Sequence, residues 1–234
     1  MKILIAVMSC WMAELNGDNQ SIRDTWLKEL PAYPHVDYRF FHGSGYSQYP
    51  GQAYQFEQGE VKSMPSDIEI LAAPDKYYGL IEKSKEFHTW GCTHDYDFVF
   101  KADTDTYVNI PQLMSSGFEK HDYFGYAHTA PGSYGDQGII KHGFLGGGEG
   151  YWTSRYACEI ISKAKASTEA DVNFGSAEDL WTGYVLGEAG IPLVGHPGYG
   201  RGITLHGSVV TDAHHGSYNN KWMYEIYVKR NQRP

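Results

Sequence analysis

Tyr96-Asp97-Phe98-Val99-Phe100-Lys101-Ala102-Asp103-Thr104-Asp105-Thr106-Tyr107-Val108-Asn109 is the stretch on which the reading of this chain turns. Phe98, Val99 and Phe100 are aromatic or β-branched and bounded by polar residues, the mark of a short buried strand. The run ends in two carboxylates, Asp103 and Asp105, spaced i, i+2. In extended backbone, i and i+2 point to the same side. The pair is therefore expected to converge beyond the strand's carboxyl end, where open α/β sheets bind ligands. Two hard oxygen donors there suit a divalent cation that also holds phosphate oxygens. The plainer reading is a turn rich in Asp and Thr behind an ordinary strand. The triplet alone does not decide between the two.

Composition narrows the classes. A chain of 234 residues can bury roughly 70% of its unfolded surface as one large domain. The net charge of -9 argues against nucleic acid or an anionic membrane as the main partner. It leaves room for an anionic small molecule, because a bound cation inverts the local field. The 19 tyrosines and six tryptophans can stack on sugars or nucleobases but also fill cores. Cys10, Cys92 and Cys158 are odd in number and lack metal-ligand spacing, which favours a reducing compartment. Lys2 to Met8 is apolar but too short to span a bilayer and lacks a signal-peptide layout. The expectation is a soluble, cytoplasmic protein without a transmembrane segment.

Along the chain, Lys2 to Ser9 reads as a first strand and Cys10 to Asn19 as a loop near its carboxyl end. Ser21 suits the N-cap of a helix through Leu30, stopped by Pro31. Val36 to Phe41 is a second strand, and His42 to Met64 lacks periodicity, as a functional loop would. Ile68 to Leu71 is a short strand. A helix over Tyr77 to Trp90 turns Leu80, Ile81, Ser84, Phe87 and Trp90 inward. Asn109 with Pro111 marks the start of a short helix, and Tyr123 to Tyr126 a strand. Ala127 to Gly150 is glycine-rich, and Gly146-Gly147-Gly148 lets backbone approach a ligand closely, or is a plain flexible loop. Thr153 or Ser154 caps a helix to about Lys165. Ser176 opens another reaching Glu188, Pro192 to Val194 is a late strand, and the rest is loop-like. Alternating strands and helices argue for α/β with a largely parallel sheet, with no repeat or linker to mark a boundary.

Several separated stretches together resemble one family, the β-1,3-galactosyltransferase and Fringe-like glycosyltransferases. Ile22-Arg23-Asp24-Thr25-Trp26 is similar to its I-R-x-T-W element. Asp75-Lys76-Tyr77-Tyr78-Gly79-Leu80, with Asp67-Ile68 before it and Lys83-Ser84 after it, is similar to its D-x-Y-x-N-L-T-x-K-T helix entry. Phe100 to Asn109 resembles its K-x-D-D-D-x-F-V-N metal motif, with Thr104 in place of the middle acid. Gly146 to Ser154 resembles its G-x-G-Y-x-x-S segment, and Glu178-Asp179-Leu180-Trp181-Thr182-Gly183 its E-D-V-x-x-G motif. The order is also the family's. The resemblance implies that residues 1–234 form a single GT-A catalytic domain with a Rossmann-like, mostly parallel central sheet. It further implies a nucleotide-sugar donor (commonly a UDP-sugar), a glycan acceptor, Mn²⁺ or Mg²⁺, and inversion at the anomeric carbon. The family's membrane stem and most of its cysteine framework are missing, and Lys141-His142-Gly143 stands where Pro and Tyr usually precede the glycine segment.

On this reading Asp105 is the first choice for a direct metal ligand, with Asp103 supporting the ribose or the metal's water shell. His206 sits where members of the family place a late His ligand, ahead of His214 and His215; with eleven histidines in the chain, a surface or hydrogen-bonded residue is the alternative. Inversion needs a base for the acceptor hydroxyl, and Asp179 is the first candidate, Glu178 the second. The competing role for Asp179 is to close a helix N-terminus in a near capping box with Ser176. Arg23 and Ser9 are candidates for nucleotide contact, against an exposed helix charge and a turn residue. Lys101 can pair with one of the carboxylates, and Tyr107 and Trp181 read as core. Two other classes fit parts of the pattern: a metal-dependent phosphoester hydrolase using Asp103, Asp105 and the late histidines, and a non-catalytic sugar-binding module.

Overall fold

The computed structural model describes residues 1–44, 47–49, 52–54, 65–128, 142–166, 177–201, 210–213 and 221–231. In chain order the first half comprises β1 (Ile3–Met8), α1 (Trp11–Asn16), α2 (Asp18–Asp24), a 3-10 helix (Trp26–Ala32), β2 (Val36–Ser44), β3 (Ser47–Tyr49), β4 (Gln52–Tyr54), β5 (Ile68–Pro74), α3 (Leu80–Thr93), β6 (Phe98–Asp103) and β7 (Thr106–Val108). Then follow α4 (Ile110–Met114), β8 (Tyr123–Gly125), β9 (Ala127–His128), β10 (Phe144–Leu145), β11 (Tyr151–Ser154), α5 (Arg155–Lys163), α6 (Glu178–Glu188), β12 (Val194–Gly195), β13 (Tyr199–Arg201), β14 (Thr211–Ala213) and α7 (Lys221–Asn231).

β1 is apolar throughout and buried at every position, as a strand covered on both faces must be. Its side chains alternate between two cores. Ile3, Ile5 and Val7 pack with Ile22, Trp26 and Phe100; Leu4, Ala6 and Met8 pack with Phe41, Phe87 and Val99. The central sheet has seven strands in the order β12-β8-β11-β6-β1-β2-β5. Its pairings are parallel except those of β11. The expected α/β class with a mostly parallel, helix-flanked sheet is thus the one found. From β1 the chain steps outward through β2 to β5, then returns to place β6 on the other side of β1. That reversal opens a crevice at the carboxyl ends of β1 and β6, where Met8 pairs with Asp103.

Local signals fixed several boundaries. Asn109 caps α4 by accepting from the Gln112 N–H, with Pro111 in the first turn. Ser154 caps α5 through the Ala157 N–H. In α3, Ile81, Ser84 and Phe87 are buried, and Leu80 and Trp90 pack against the same core. Elsewhere the expectations need correction. The Cys10–Asn19 loop contains α1, closed by Gly17, and Ser21 lies inside α2 rather than capping it. The helix expected to reach Leu30 changes to 3-10 geometry at Trp26, with Pro31 inside that segment. The segment after His42 carries the β3–β4 hairpin. The loop-like end holds β13, β14 and α7, and Arg230 of α7 donates to the Tyr107 hydroxyl and the Asn109 side chain.

His42 and His88 are buried, and burial pushes both down to about 3. The unfolded chain takes up protons near the ordinary histidine value that the native chain refuses. The stability tied to these rings is therefore complete above about pH 6.5 and is lost as pH falls toward 3. His88 stacks on Phe87 and Tyr151, so His88→Phe keeps an aromatic ring there while removing the titration. Urea midpoints measured from pH 7 to pH 4 should fall less steeply for His88→Phe than for wild type, by roughly 1.4 kcal/mol per pH unit. Parallel slopes would show that His88 is protonated in the native state.

Candidate active site

Strand β6 runs through Asp103, so the i, i+2 rule of a strand applies to Lys101 and Asp103. They form an ion pair, Nζ to Oδ1 2.7 Å. The expectation that the same rule joins Asp103 to Asp105 is corrected: Thr104 and Asp105 form the turn between β6 and β7. The turn, not the strand pleat, sets the direction of Asp105. Both carboxylates lie half-buried at the carboxyl edge of the sheet.

Lys101 is only 1% exposed. Its ammonium also meets Glu178 Oε1 at 2.8 Å and donates to the Gly147 carbonyl at 2.9 Å. Three partners match the three N–H donors of a lysine. Three distant segments thus meet on one atom: the end of β6, the glycine run and the start of α6. The other oxygen of Glu178 accepts from the Tyr151 hydroxyl at 2.9 Å. Asp179 accepts from the Gly147 N–H at Oδ2, 3.1 Å, and from the Leu180 N–H at Oδ1, 2.9 Å. Gly147 is required here by packing. A Cβ at this position would run into Glu178 Oε1 and come within 2.9 Å of Lys101 Nζ. Ser176 lies outside the described residues; the N-cap of α6 is Ala177, which supplies no side-chain cap.

Electrostatics follow from this burial. Burial pushes the Glu178 carboxyl up to about 7; Lys101 opposes the shift, while Asp179 and Asp103 add to it. Burial works against the charge on Lys101, but Asp103 and Glu178 outweigh it and hold the ammonium above the ordinary lysine range. The pair stays ionic because neither partner has another neutral arrangement.

The remaining expected residues lie around this centre. Ser9 is buried at the end of β1 and donates to Asn19 Oδ1 at 2.8 Å. Arg23 is not an exposed helix charge: its guanidinium forks onto Asp67, with bonds of 2.8 and 3.0 Å, and onto Glu14, at 2.9 and 3.1 Å. The structure therefore commits Arg23 and Lys101 to ion pairs within the protein. Asp75 and Lys83 form a buried pair at 2.8 Å. Asp75 also accepts from the Trp11 and Gly43 N–H groups, and Lys83 donates to the Ser9 carbonyl. Tyr107 and Trp181 are buried as core. His206, His214 and His215 lie outside the described residues.

One carboxylate was missed by sequence reasoning. Asp18, in the stretch read as loop, is buried, and its pKa is pushed up to about 6 by burial and by the charge of Asp105. Its sequence context, Asn-Gly-Asp-Asn, signals only a turn. Among the described residues no three His, Cys, Asp or Glu side chains form a closed metal cage. A hard cation such as Mg²⁺ needs no such cage, since one or two carboxylates with substrate phosphates suffice. Asp105 and Asp103 supply oxygen donors of that kind.

No family profile and no curated protein matches this chain. Among solved structures, an active-site mutant of LgtC superposes with a TM-score of 0.51 at 10% identity, over 98% of this chain and 96% of that one. The galactosyltransferase LgtC in complex with donor and acceptor sugar analogs gives 0.49 at 10% identity, over 100% and 98%. CMP:2-keto-3-deoxy-manno-octonic acid synthetase complexed with CTP gives 0.44 at 9% identity, over 84% and 89%. At such identities the likeness to the LgtC mutant is one of fold, and it agrees with the GT-A class. Among the described residues no helix is long and apolar enough to cross a membrane.

Replacing Lys101 by Met keeps most of the volume and strands two carboxylates. The variant should lose about 3–5 kcal/mol in urea denaturation, the usual cost of leaving a buried charge without its partner. The double variant Lys101→Met/Glu178→Gln should recover part of that loss, since one buried charge disappears with its counter-ion. A single-variant loss below about 1 kcal/mol would mean that Lys101 does not organise the centre.

Proposed function

We propose that this protein is a divalent-cation-dependent inverting glycosyltransferase that moves a sugar from a nucleotide-sugar donor, a UDP-sugar first among them, to a hydroxyl of a glycan. The observation that carries the reading is the Lys101 ammonium, shared by Asp103 and Glu178. It brings the Asp-x-Asp segment and the Glu-Asp segment to one crevice at the switch point of the sheet, the usual ligand position in open α/β folds. The fold likeness to the LgtC mutant and the sequence resemblance to β-1,3-galactosyltransferases and Fringe-like enzymes support the same class.

The residues divide the work by chemistry. Asp105, backed by Asp103, presents carboxylate oxygens to Mn²⁺ or Mg²⁺, and His206 is the further ligand proposed from its sequence position. When bound, the cation supplies Lewis-acid stabilisation for a departing diphosphate. Asp179 faces the other task, accepting the proton of the attacking hydroxyl. Backbone N–H groups of Gly147 and Leu180 orient its two oxygens, and each oxygen keeps a further lone pair for a proton. The first turn of α6 favours the ionised form. Glu178 is held by Lys101 and Tyr151, so its role is to position the centre rather than to meet the acceptor.

A panel of nucleotide sugars with Mn²⁺, read by donor hydrolysis and thermal shift, should single out one donor. With that donor, Asp179→Asn should lower turnover by ~10²–10⁴, the range of a general base, with UDP affinity within about twofold of wild type. Equal loss of UDP binding and turnover would make Asp179 a donor-site residue, and no response to any nucleotide sugar would end the glycosyltransferase reading.

A further inference from the structure

The short helix α2 begins with a carboxylate that the roles above leave unused. Gly17 closes α1 with a left-handed φ of 85° and makes Asp18 the first residue of α2. Two hydrogen bonds fix this segment against the crevice. Asn19 accepts from the Ser9 hydroxyl at the end of β1, 2.8 Å, and β1 pairs there with Asp103 through Met8. Beyond the far end of α2, the Trp26 indole N–H donates to the carbonyl of Thr106, 3.2 Å, the residue after Asp105.

Held between these points, Asp18 is 6% exposed. Among the described residues nothing donates a hydrogen bond to its carboxylate; the charge that acts on it is Asp105, of the same sign. A buried carboxylate normally has N–H or O–H donors or a counter-ion. Asp18 has burial and a like charge instead, unfavourable on both counts. Structural use would call for a donor, and Asn at this position would keep the shape without the charge. A divalent cation inverts the local balance: two carboxylates that repel each other become two hard-oxygen donors to one ion.

We infer that Asp18 is a second protein carboxylate of the cation site, sharing a divalent ion with Asp105 from across the β1–β6 crevice. This rests on the cation reading of the preceding subsection and adds to it a ligand from the segment before α2. The fold accepts a poorly solvated anion in the metal-free protein so that the ion meets charge from both walls.

The test measures Mn²⁺ binding directly, by loss of the free-ion paramagnetic resonance signal at about pH 7.5, with MnCl₂ alone and with UDP added. Wild type, Asp18→Asn, Asp18→Ala and Asp105→Asn are compared, and metal-free melting temperatures are recorded for each. Both Asp18 variants should weaken Mn²⁺ binding at least about tenfold, as loss of a supporting ligand does. Metal-free Asp18→Asn should melt above wild type, because a buried like-charge contact is gone. If both Asp18 variants bind Mn²⁺ within about twofold of wild type while Asp105→Asn does not, the inference is overturned and the cation reading stands. A lowered metal-free melting temperature for Asp18→Asn, or failure of both Asp18 variants to fold, would assign Asp18 to structure and also overturn it. If wild type takes up no Mn²⁺ under either condition, the cation reading fails and the inference with it.

Discussion

The Lys101 ammonium is the point on which the site's geometry depends. Removing an ammonium from water costs several kcal/mol unless charge and hydrogen bonds replace the water. Here Asp103, Glu178 and the Gly147 carbonyl do so, each from a different segment. The partners are mutually necessary. Shift α6 and Glu178 leaves; add a side chain at Gly147 and it collides with Glu178 and Lys101. A bond network of this kind over-determines the distance between the end of β6 and the start of α6, which is what a two-sided reaction centre needs.

A second buried lysine performs the same task on the other side of β1. Lys83 pairs with Asp75 and donates to the carbonyl of Ser9, while Asp75 gathers the N–H groups of Trp11 and Gly43. The ends of β1 and β2, the start of α1 and the body of α3 are thereby tied together. Each lysine spends one N–H on a loop carbonyl at the carboxyl edge of the sheet. Loops in that position are the part of an open α/β fold with least regular hydrogen bonding of their own, so two buried ion pairs supply the rigidity that strands supply elsewhere.

The sequence showed most where a local rule and the tertiary structure agree. β1 announced itself by an apolar run with alternating cores, α4 and α5 by Asn109 and Ser154 at their caps, and α3 by its inward face. It showed least where a long-range contact decides. α7 stands because Arg230 reaches Tyr107 and Asn109, residues far away along the chain. Asp18 looked like a turn residue because its burial comes from α2 lying against β1 and the β6–β7 turn. The pairing of Asp103 and Asp105 was argued from an extended strand, yet the strand stops between them; the rule was sound, but it joined Asp103 to Lys101 instead. Arg23 is the mirror case: a residue taken as available for a phosphate is spent on Glu14 and Asp67.

That last assignment bears on how an anionic donor enters an acidic crevice. Asp18, Asp103, Asp105, Glu178 and Asp179 gather around it, and the two basic residues that sequence reasoning offered to a diphosphate, Arg23 and Lys101, are engaged with carboxylates of the protein. A diphosphate approaching this wall alone would meet charge of its own sign in a place where burial weakens screening. Bringing a divalent ion changes the sign of the encounter, since the same carboxylates then attract the complex. The protein's overall charge of -9 points the same way at long range. On the proposed reading, the ion therefore does more than stabilise a leaving group: with Arg23 and Lys101 committed elsewhere, it is what makes the crevice receptive to a nucleotide diphosphate at all.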